Sequence, residues 1–247
     1  MDGAPALDVL RESDRQFPAP DSNRTADFNR LAGIYCWMEL FTFGPWLERC
    51  RCAFLDEMRE SSMGLVLGDG DGRFTARLLR ANAEIKIGAV DASDRMLFEL
   101  RRRASENVVR VQTHCADARE WEAAEGGYDL VVSHFFLDCL TTDEVKELAA
   151  RVKRAMSAGA VWVVSDFAMP EGWRGWLLAR PLLWVLYRAF GLLTGLRVKT
   201  LPNHRNALTG GGFRLERQRS FLGGILVSEL WQVEAALQSC EPSLMGL

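Results

Sequence analysis

The amino-acid sequence predicts an α/β fold in which a mostly parallel sheet carries helices on both faces. Three observations lead to this prediction: short apolar runs alternate with helical stretches, a glycine-rich turn follows the first run, and two more strand-like runs flank Gly223-Gly224. Alternation of this kind is typical of parallel sheets, because each crossover places a helix on one face. A chain of 247 residues is the size of one domain with additions.

Five apolar runs have the length and composition of buried strands, namely residues 64–68, 85–90, 107–112, 128–133 and 160–166. Apolar residues recur at three- and four-residue steps between them and predict helices over 72–81, 94–104 and 142–156. Thr141 or Thr142 is the expected N-cap of the last helix, because a threonine hydroxyl accepts a hydrogen bond from the first turn.

Both ends add to this alternating core. Residues 1–24 predict a loose arm, and helical periodicity over 27–58 is broken by Gly44-Pro45, so that a second helix is expected over Trp46–Glu60. Near the C-terminus, a helix over Asn203–Thr209 precedes two strands that are expected to pair as an edge hairpin, at 213–220 and 225–232.

The stretch 172–197 is rich in leucine and aromatic residues and is interrupted by arginines. Its longest uncharged run is far short of the roughly 20 residues that a membrane span needs. Three interpretations stay open for it: core packing of an added helix pair, a lid over an apolar acceptor pocket, and shallow contact with a membrane surface. Arg180 and Arg188 are anchors for an acidic substrate in the second interpretation and surface charges in the others.

The composition disfavours several classes of function. The formal net charge of −3 gives no general attraction to nucleic acid. Six cysteines are scattered without a Cys-x-x-Cys pair or a zinc-type His/Cys cluster, so we expect no metal. The N-terminus is polar and has no apolar signal region, and we therefore predict a cytoplasmic location.

The run Leu65–Gly72 places glycine at every second position after a strand, at Gly68, Gly70 and Gly72. Glycine permits a close approach of backbone to a ligand and tolerates positive φ. Asp91 closes the second strand nineteen positions after Gly72, where a carboxylate can accept hydrogen bonds from both hydroxyls of a ribose. This arrangement predicts an adenosine-containing cofactor.

The spacing and charge of the turn separate two cofactor classes. A dinucleotide fingerprint places its third glycine three residues after the second, whereas Gly72 comes two residues after Gly70. Asp69 and Asp71 would also repel a pyrophosphate. S-adenosylmethionine has a ribose, a sulfonium and an ammonium but no phosphate, and it is the cofactor that fits.

Four motifs follow one another in the order found in class I S-adenosylmethionine-dependent methyltransferases: Leu65–Gly72, Gly88–Leu97, Val111–Ala118 and Tyr128–His134. Over about residues 25–165 the chain resembles the small-molecule branch of that family, which includes ubiquinone/menaquinone-type enzymes. The resemblance implies a Rossmann-like, doubly wound sheet of seven strands with an antiparallel edge pair. The chain then divides into an N-terminal arm and helical cap, a cofactor-binding core, a helical lid and a last αβ unit with the hairpin, at 1–60, 61–169, 170–200 and 201–247.

The resemblance also implies roles for individual residues. The three glycines would line the methionine part of the cofactor, with Asp91 and Ala92 at the ribose, Asp117 and Ala118 at the adenine edge, and Ser133 and His134 at the pocket floor. Tyr35 would either cover the cofactor or be a plain core tyrosine. Val66 stands where the family usually has an acidic residue. Either Asp69 takes over its contact with the cofactor's ammonium, or the affinity is lower.

His134 and Asp138 are the candidate catalytic residues. His134 ends the fourth strand at the carboxyl edge, where ligands of open α/β sheets bind. If residues 134–138 form one helical turn, the two side chains share a face, and Asp138 orients the imidazole or acts as the base itself. The structural alternatives are a hydrogen-bonded histidine at a strand end and an aspartate that caps the next helix. His204, before the last helix, is either a pocket residue or a surface or capping group.

We therefore predict methyl transfer to a small, rather apolar metabolite, at oxygen or carbon in preference to nitrogen. The alternative is a protein that binds the cofactor without catalysis, in a regulatory or assembly role. A dinucleotide-dependent oxidoreductase is disfavoured by the spacing and charge of the glycine turn.

Overall fold

A computed structural model of the protein describes residues 44–123, 125–170 and 202–234. Seven strands form one sheet in the order β3-β2-β1-β4-β5-β7-β6. The strands are β1 Met63–Leu67, β2 Lys86–Asp91, β3 Val111–Cys115, β4 Tyr128–His134, β5 Met156–Phe167, β6 Phe213–Phe221 and β7 Leu226–Val233. β1 to β5 are parallel, and β7 lies antiparallel between β5 and β6. The predicted doubly wound sheet with an antiparallel edge pair is confirmed.

Five α-helices accompany the sheet within the described residues: α1 Pro45–Arg51, α2 Arg73–Ala81, α3 Asp94–Ala104, α4 Thr142–Ala155 and α5 His204–Gly210. Thr141 is the N-cap of α4 and forms a reciprocal capping box with Glu144. This confirms the predicted helix start and selects the first of the two candidate threonines.

Side chains alternate between the two faces of the sheet and build a separate core on each. Leu65, Leu67 and Trp162 lie in the core that includes residues of α4 and α5. Val66 and Val132 lie in the opposite core, with residues of α2 and α3. Because both faces are covered, the parallel strands are apolar throughout, and this explains why they were recognisable as continuous runs.

The predicted third strand, 107–112, is wrong by several residues. Residues Ser105–Arg110 form a 3₁₀ turn, and pairing with β2 begins at Val111. The Arg110 guanidinium donates hydrogen bonds to the carbonyls of Leu79, Asn82 and Ile85, which holds this turn against the approach to β2. Val109, which favoured a strand in the sequence, is 88% exposed.

The predicted helix Trp46–Glu60 is also too long, since α1 ends at Arg51. The chain then follows turns and a short 3₁₀ segment, Asp56–Met58, towards β1. Asn82 stabilises this path by donating from its side-chain amide to the carbonyls of Met58 and Ser61. A contact so distant in sequence overrides the local helical periodicity.

The C-terminal hairpin is confirmed, with positive φ at Gly223 and Gly224 in its turn. The predicted helices within 27–43, the stretch 172–197 and residues 1–24 lie outside the described residues. Among the residues that are described, no helix has the length and apolar character needed to cross a membrane. The division into four parts stays a prediction.

Candidate active site at the carboxyl edge of the sheet

The glycine turn leaves β1 at the carboxyl edge and uses positive φ at all three glycines, 67° at Gly68, 60° at Gly70 and 77° at Gly72. A methyl group at Gly68 would lie 2.5 Å from the Phe136 ring, and one at Gly72 would lie 2.5 Å from Leu100. Gly70 has no such neighbour within 4 Å. The outer two glycines therefore permit close packing, and Gly70 presents bare backbone to open space.

Asp69 ties the glycine turn to the start of α2. Its Oδ2 accepts hydrogen bonds from the backbone N–H and the hydroxyl of Thr75, at 2.8 and 2.7 Å. Burial raises the pKa of Asp69 to about 6 despite these two bonds. The described hydrogen bonds of the carboxylate thus serve the fold of the turn, and its predicted contact with a cofactor ammonium stays a prediction.

The negative charge of Asp71 is compensated in the structure, contrary to the expectation from the sequence. Arg73 and Arg103 donate to its Oδ2 at 3.0 and 2.8 Å. Two guanidinium groups therefore neutralise this carboxylate. The charge argument against a pyrophosphate now depends on Asp69, together with the glycine spacing.

Asp91 ends β2 beside the glycine turn. Its Oδ1 accepts a hydrogen bond from the N–H of Ser93 at 2.8 Å, and the Gly70 N–H also bonds the carboxylate. Burial raises the pKa of Asp91 to about 6, against the lowering effect of these two donors. Ala92 follows directly, and its carbonyl lies 3.8 Å from the Cys115 Sγ. The turn and the ribose candidate are therefore brought together as predicted.

Asp117 and Ala118 follow β3 at the same edge, next to Asp91, whose carbonyl accepts from the Ala116 N–H at 3.1 Å. Both carboxylate oxygens of Asp117 accept hydrogen bonds from Arg119. An adenine would share Asp117 with this guanidinium. Ala118 is buried in the core. The adenine role of both residues stays a prediction, and Tyr35 lies outside the described residues.

Ser133 and His134, at the end of β4, face opposite sides of the sheet. The Ser133 hydroxyl accepts a hydrogen bond from the Trp162 indole at 3.0 Å. His134 is 3% exposed, and its ring meets that of Phe74 edge-on, with centroids 4.3 Å apart. Neither ring nitrogen has a hydrogen-bond partner in the described structure. Burial, with a smaller effect from Arg51, lowers the pKa of His134 well below its usual range, so the imidazole is neutral.

The predicted helical turn from His134 to Asp138 is wrong. His134 is still in β4, Phe135 has a φ of 52°, and Leu137–Cys139 form a 3₁₀ turn. The path bends because Phe136 covers Gly68, while the Phe135 N–H donates to the Ser165 carbonyl at 2.6 Å. Asp138 consequently lies towards β5 instead of under His134, and it does not orient the imidazole.

Asp138 instead belongs to a buried acid cluster, which we define as Asp138, Asp166, His204 and Glu229. The Asp138 N–H donates to the Asp166 Oδ2 at 3.1 Å. Burial raises the pKa of Asp138 to about 6, and burial together with the negative charge of Asp138 raises that of Asp166 well above its usual range. Two buried carboxyl groups so close do not both ionise readily, so the pair retains a proton near neutral pH.

Glu229 on β7 forms the polar end of this cluster. It accepts hydrogen bonds from His204 Nε2 at 3.2 Å, Arg205 Nε at 2.6 Å and Trp231 Nε1 at 3.1 Å. Burial alone would raise the pKa of Glu229, but His204 and Arg205 lower it below its usual range. Sequence reasoning missed Asp166 and Glu229. The signal was a single acidic residue inside each of two apolar strands.

Comparisons with known proteins agree with this geometry. Residues 65–159 match a family model described as a methyltransferase domain. This segment of the chain is therefore similar to a methyltransferase domain. The matched segment begins in β1 and ends within β5, so it contains the glycine turn, Asp91, Asp117 and the end of β4.

Several solved structures share the fold of this chain at low identity. A possible exported protein from Bordetella parapertussis is 21% identical, with a TM-score of 0.62 over 78% of this chain and 68% of that one. An O-methyltransferase family protein from Burkholderia thailandensis is 16% identical, with a TM-score of 0.64 over 92% and 67%. The DhpI–SAH complex is 17% identical, with a TM-score of 0.60 over 86% and 96%. A comparison with curated proteins finds no match.

The residues at the carboxyl edge of the sheet fit S-adenosylmethionine. The open side of Gly70 admits a ligand against the backbone, and Asp91 is a carboxylate positioned beside it for ribose hydroxyls. Val66, at the usual acidic position, is buried in the apolar core with Phe74 and Val132. Its side chain therefore belongs to the fold, and it makes no polar contact with a cofactor.

Proposed function

We propose that the protein transfers a methyl group from S-adenosylmethionine to a small, rather apolar acceptor, at oxygen or carbon in preference to nitrogen, as in the ubiquinone/menaquinone-type branch. The observation that supports this choice is the position of Asp138. It lies in the turn Leu137–Cys139, directly after Phe136, whose ring lies over Gly68 of the glycine turn. The candidate base is therefore next to the cofactor edge.

The bound cofactor supplies an electrophilic methyl group on a sulfonium that leaves as a neutral thioether. The chain's task is to hold the acceptor in line with that methyl and to exclude water. Alignment of this kind contributes up to roughly 7–11 kcal/mol for well-held reactants. The bent segment after β4 supports this role, because Phe136 lies over Gly68 and Asp138 is held through its N–H by Asp166.

Asp138 takes the acceptor's proton in this proposal. When the acceptor is methylated, the proton of its hydroxyl or acidic carbon would pass to the Asp138 carboxylate. A pKa of about 6 leaves Asp138 mostly ionised at neutral pH and basic enough to act. In this proposal the shared proton of the pair rests on Asp166, whose pKa is raised well above its usual range, and Asp138 is the ionised partner.

His134 has a different role from the one that the sequence favoured. A neutral, buried imidazole against Phe74 is a weak candidate for a base, because charging it would require a cation in an apolar core. We propose that it contributes shape beneath the methionine end of the cofactor. Asp138 is then the single general base of the two.

We also propose a cytoplasmic location, with the acceptor as the principal partner and 172–197 as the segment that contacts an apolar acceptor or a membrane surface. The cysteines support a reducing compartment. Cys50, Cys52, Cys115 and Cys139 are all free thiols. Burial raises the pKa of Cys50 to about 12, so this thiol is unreactive.

The decisive experiment incubates the purified protein with cofactor labelled in its methyl group and a small-molecule extract of its own cells. We expect a labelled product whose mass exceeds that of the acceptor by one methylene, together with S-adenosylhomocysteine. Asp91→Ala should abolish both. Tight cofactor binding without turnover on any extract would instead support the non-catalytic alternative.

A further inference from the structure

A groove lined by arginines lies beside the glycine turn, on the outer side of α2, and the proposed reaction does not use it. The groove has a volume of about 770 Å³. We define the arginine groove by its five guanidinium groups, Arg51, Arg73, Arg77, Arg80 and Arg103. None of Gly68, Gly70 and Asp91 is among the residues that line it.

The helical period explains how the arginines converge. Arg73, Arg77 and Arg80 are spaced four and three residues apart and share one face of α2. Ala76 lies on the same face and leaves room, whereas Phe74 and Leu78 bury the opposite face against the sheet. Arg51 from α1 and Arg103 from the last turn of α3 complete the lining.

The groove concentrates positive charge in a chain whose net charge is −3. Glu48 lines it and pairs with Arg77, and Asp71 of the glycine turn pairs with Arg73 and Arg103. Among the described residues that line the groove, five are arginines and one, Glu48, is an acid. Such an excess in a concave site attracts an anion.

We propose that the arginine groove binds a small metabolite with two or more oxyanionic charges, at a site separate from that of the cofactor. Guanidinium forks match phosphate and carboxylate oxygens in pairs, and their charge does not depend on pH. The volume is that of a small-molecule site. A concave groove on an otherwise acidic protein fits such a metabolite better than a nucleic acid strand.

Two arginines of the groove also hold a carboxylate of the glycine turn. The anion is therefore also an effector of cofactor binding. Arg103 donates to both the carbonyl and the Oδ2 of Asp71, at 3.0 and 2.8 Å, and Arg73 donates to the same Oδ2. An oxyanion that draws these guanidinium groups away releases Asp71 and loosens the turn. Anion and cofactor therefore weaken each other's binding by the same factor.

Calorimetric titration with pyrophosphate, at fixed ionic strength in a buffer without phosphate, tests the site. We expect one-to-one binding that weakens by about tenfold or more in Arg77→Gln/Arg80→Gln, because two charge-assisted contacts are lost. Arg102→Gln/Arg154→Gln removes two exposed, ion-paired arginines outside the groove and should change the affinity less than about twofold. Citrate in place of pyrophosphate separates carboxylate from phosphate ligands.

Equal weakening in both double variants, or no saturable binding by either anion, would overturn the proposal. Arg80→Gln alone serves as a second variant if the double variant does not fold, and it should weaken binding by about threefold or more. Saturating pyrophosphate should also weaken binding of S-adenosylmethionine by about fivefold. An unchanged cofactor affinity would overturn the effector role.

The site stands independently of the proposed methyl transfer. Asp91→Ala should lose cofactor affinity while it keeps pyrophosphate affinity, since Asp91 does not line the groove. Loss of both affinities in this variant would place the anion in the cofactor site and overturn the proposal. Failure to find a methyl acceptor would leave the expected pyrophosphate titration unchanged.

Discussion

The two halves of the carboxyl edge are built in different ways. On the cofactor side, β1 and β2 end in a glycine turn and a carboxylate. Hydrogen bonds within a few residues shape each of them, such as Asp69 to Thr75 and Asp91 to Ser93, and the Gly70 N–H joins the two. On the acceptor side, β4, β5 and β7 bring together Asp138, Asp166 and Glu229 from segments far apart in sequence.

The two sides therefore provide different groups to the reaction. The cofactor side offers backbone and one carboxylate to a ligand whose chemistry is always the same. The acceptor side holds negative charge and a proton in a buried cluster. Burying these groups costs free energy, which precisely placed hydrogen bonds in the fold must offset. Substitutions on the acceptor side should therefore reduce turnover without loss of cofactor affinity. Substitutions in the glycine turn should reduce cofactor affinity and leave the groups of the acceptor side in place.

The largest expected effect comes from Asp138→Asn. The amide keeps the shape and the backbone N–H that Asp166 accepts, but it cannot take a proton. We expect kcat to fall by about 10²–10⁴-fold with the cofactor affinity unchanged within about twofold. Turnover with the acceptor found in the extract and a cofactor titration measure the two quantities.

Asp143→Asn is the matched control for Asp138→Asn. Asp143 lies on the first turn of α4, exposed and paired with Lys146. Its loss removes the same charge near the same edge, and the rate should stay within about twofold. A wild-type rate in Asp138→Asn would show that another residue is the base. It would also contradict the proposed contrast between the two halves.

A second expectation concerns the glycine turn, where Gly72→Ala and Gly70→Ala should differ. Both add the strain of a positive φ, about 1–2 kcal/mol. Only Gly72→Ala also drives a methyl group into Leu100, including its backbone, which adds about 1–3 kcal/mol. Chemical denaturation should show the larger loss for Gly72→Ala, and Gly70→Ala should act mainly on cofactor affinity. Equal losses would mean that Leu100 yields to the methyl group.

The local construction of the cofactor side explains why it could be predicted. The turn, Asp91 and the capping box at Thr141 are encoded within stretches of fewer than ten residues, so residue type and spacing identify them. The sheet order follows from the same alternation, since crossovers of one hand leave few arrangements.

The acceptor side could not be predicted to the same degree, because its groups meet only in three dimensions. Asp166 and Glu229 look like isolated acids in apolar strands until β5 and β7 pair and His204 approaches from α5. The incorrect prediction of a helical turn from His134 to Asp138 has a related reason. Phe136 over Gly68 bends the segment between them, and no local pattern reports that contact.

Glu229→Gln measures how far the acceptor side depends on its buried charge. His204, Arg205 and Trp231 lose a charged acceptor, and we expect about 1.5–3 kcal/mol less stability at pH 7. The pKa of Glu229 is lowered in the fold, so its contribution exists above the unfolded pKa and fades as pH falls. Urea denaturation at pH 7 and pH 4 should show a smaller loss at the lower pH. Glu234→Gln, an exposed change just beyond β7, is the control.

The smallest expected effect is a pH dependence of cofactor binding that Asp91 confers. Ribose hydroxyls donate to the carboxylate, so protonation of a group whose pKa is about 6 should weaken binding by about tenfold for each pH unit below 6. Asp91→Asn should bind more weakly at pH 7 and lose this slope. The contribution of Asp91 to the stability of the cofactor-free protein should respond in the opposite direction. Because the pKa is raised in the fold, the contribution of Asp91 is full below the unfolded pKa and is lost as pH rises through 6. A pH dependence of cofactor affinity that persists in Asp91→Asn would therefore reflect unfolding or another group and not the titration of Asp91.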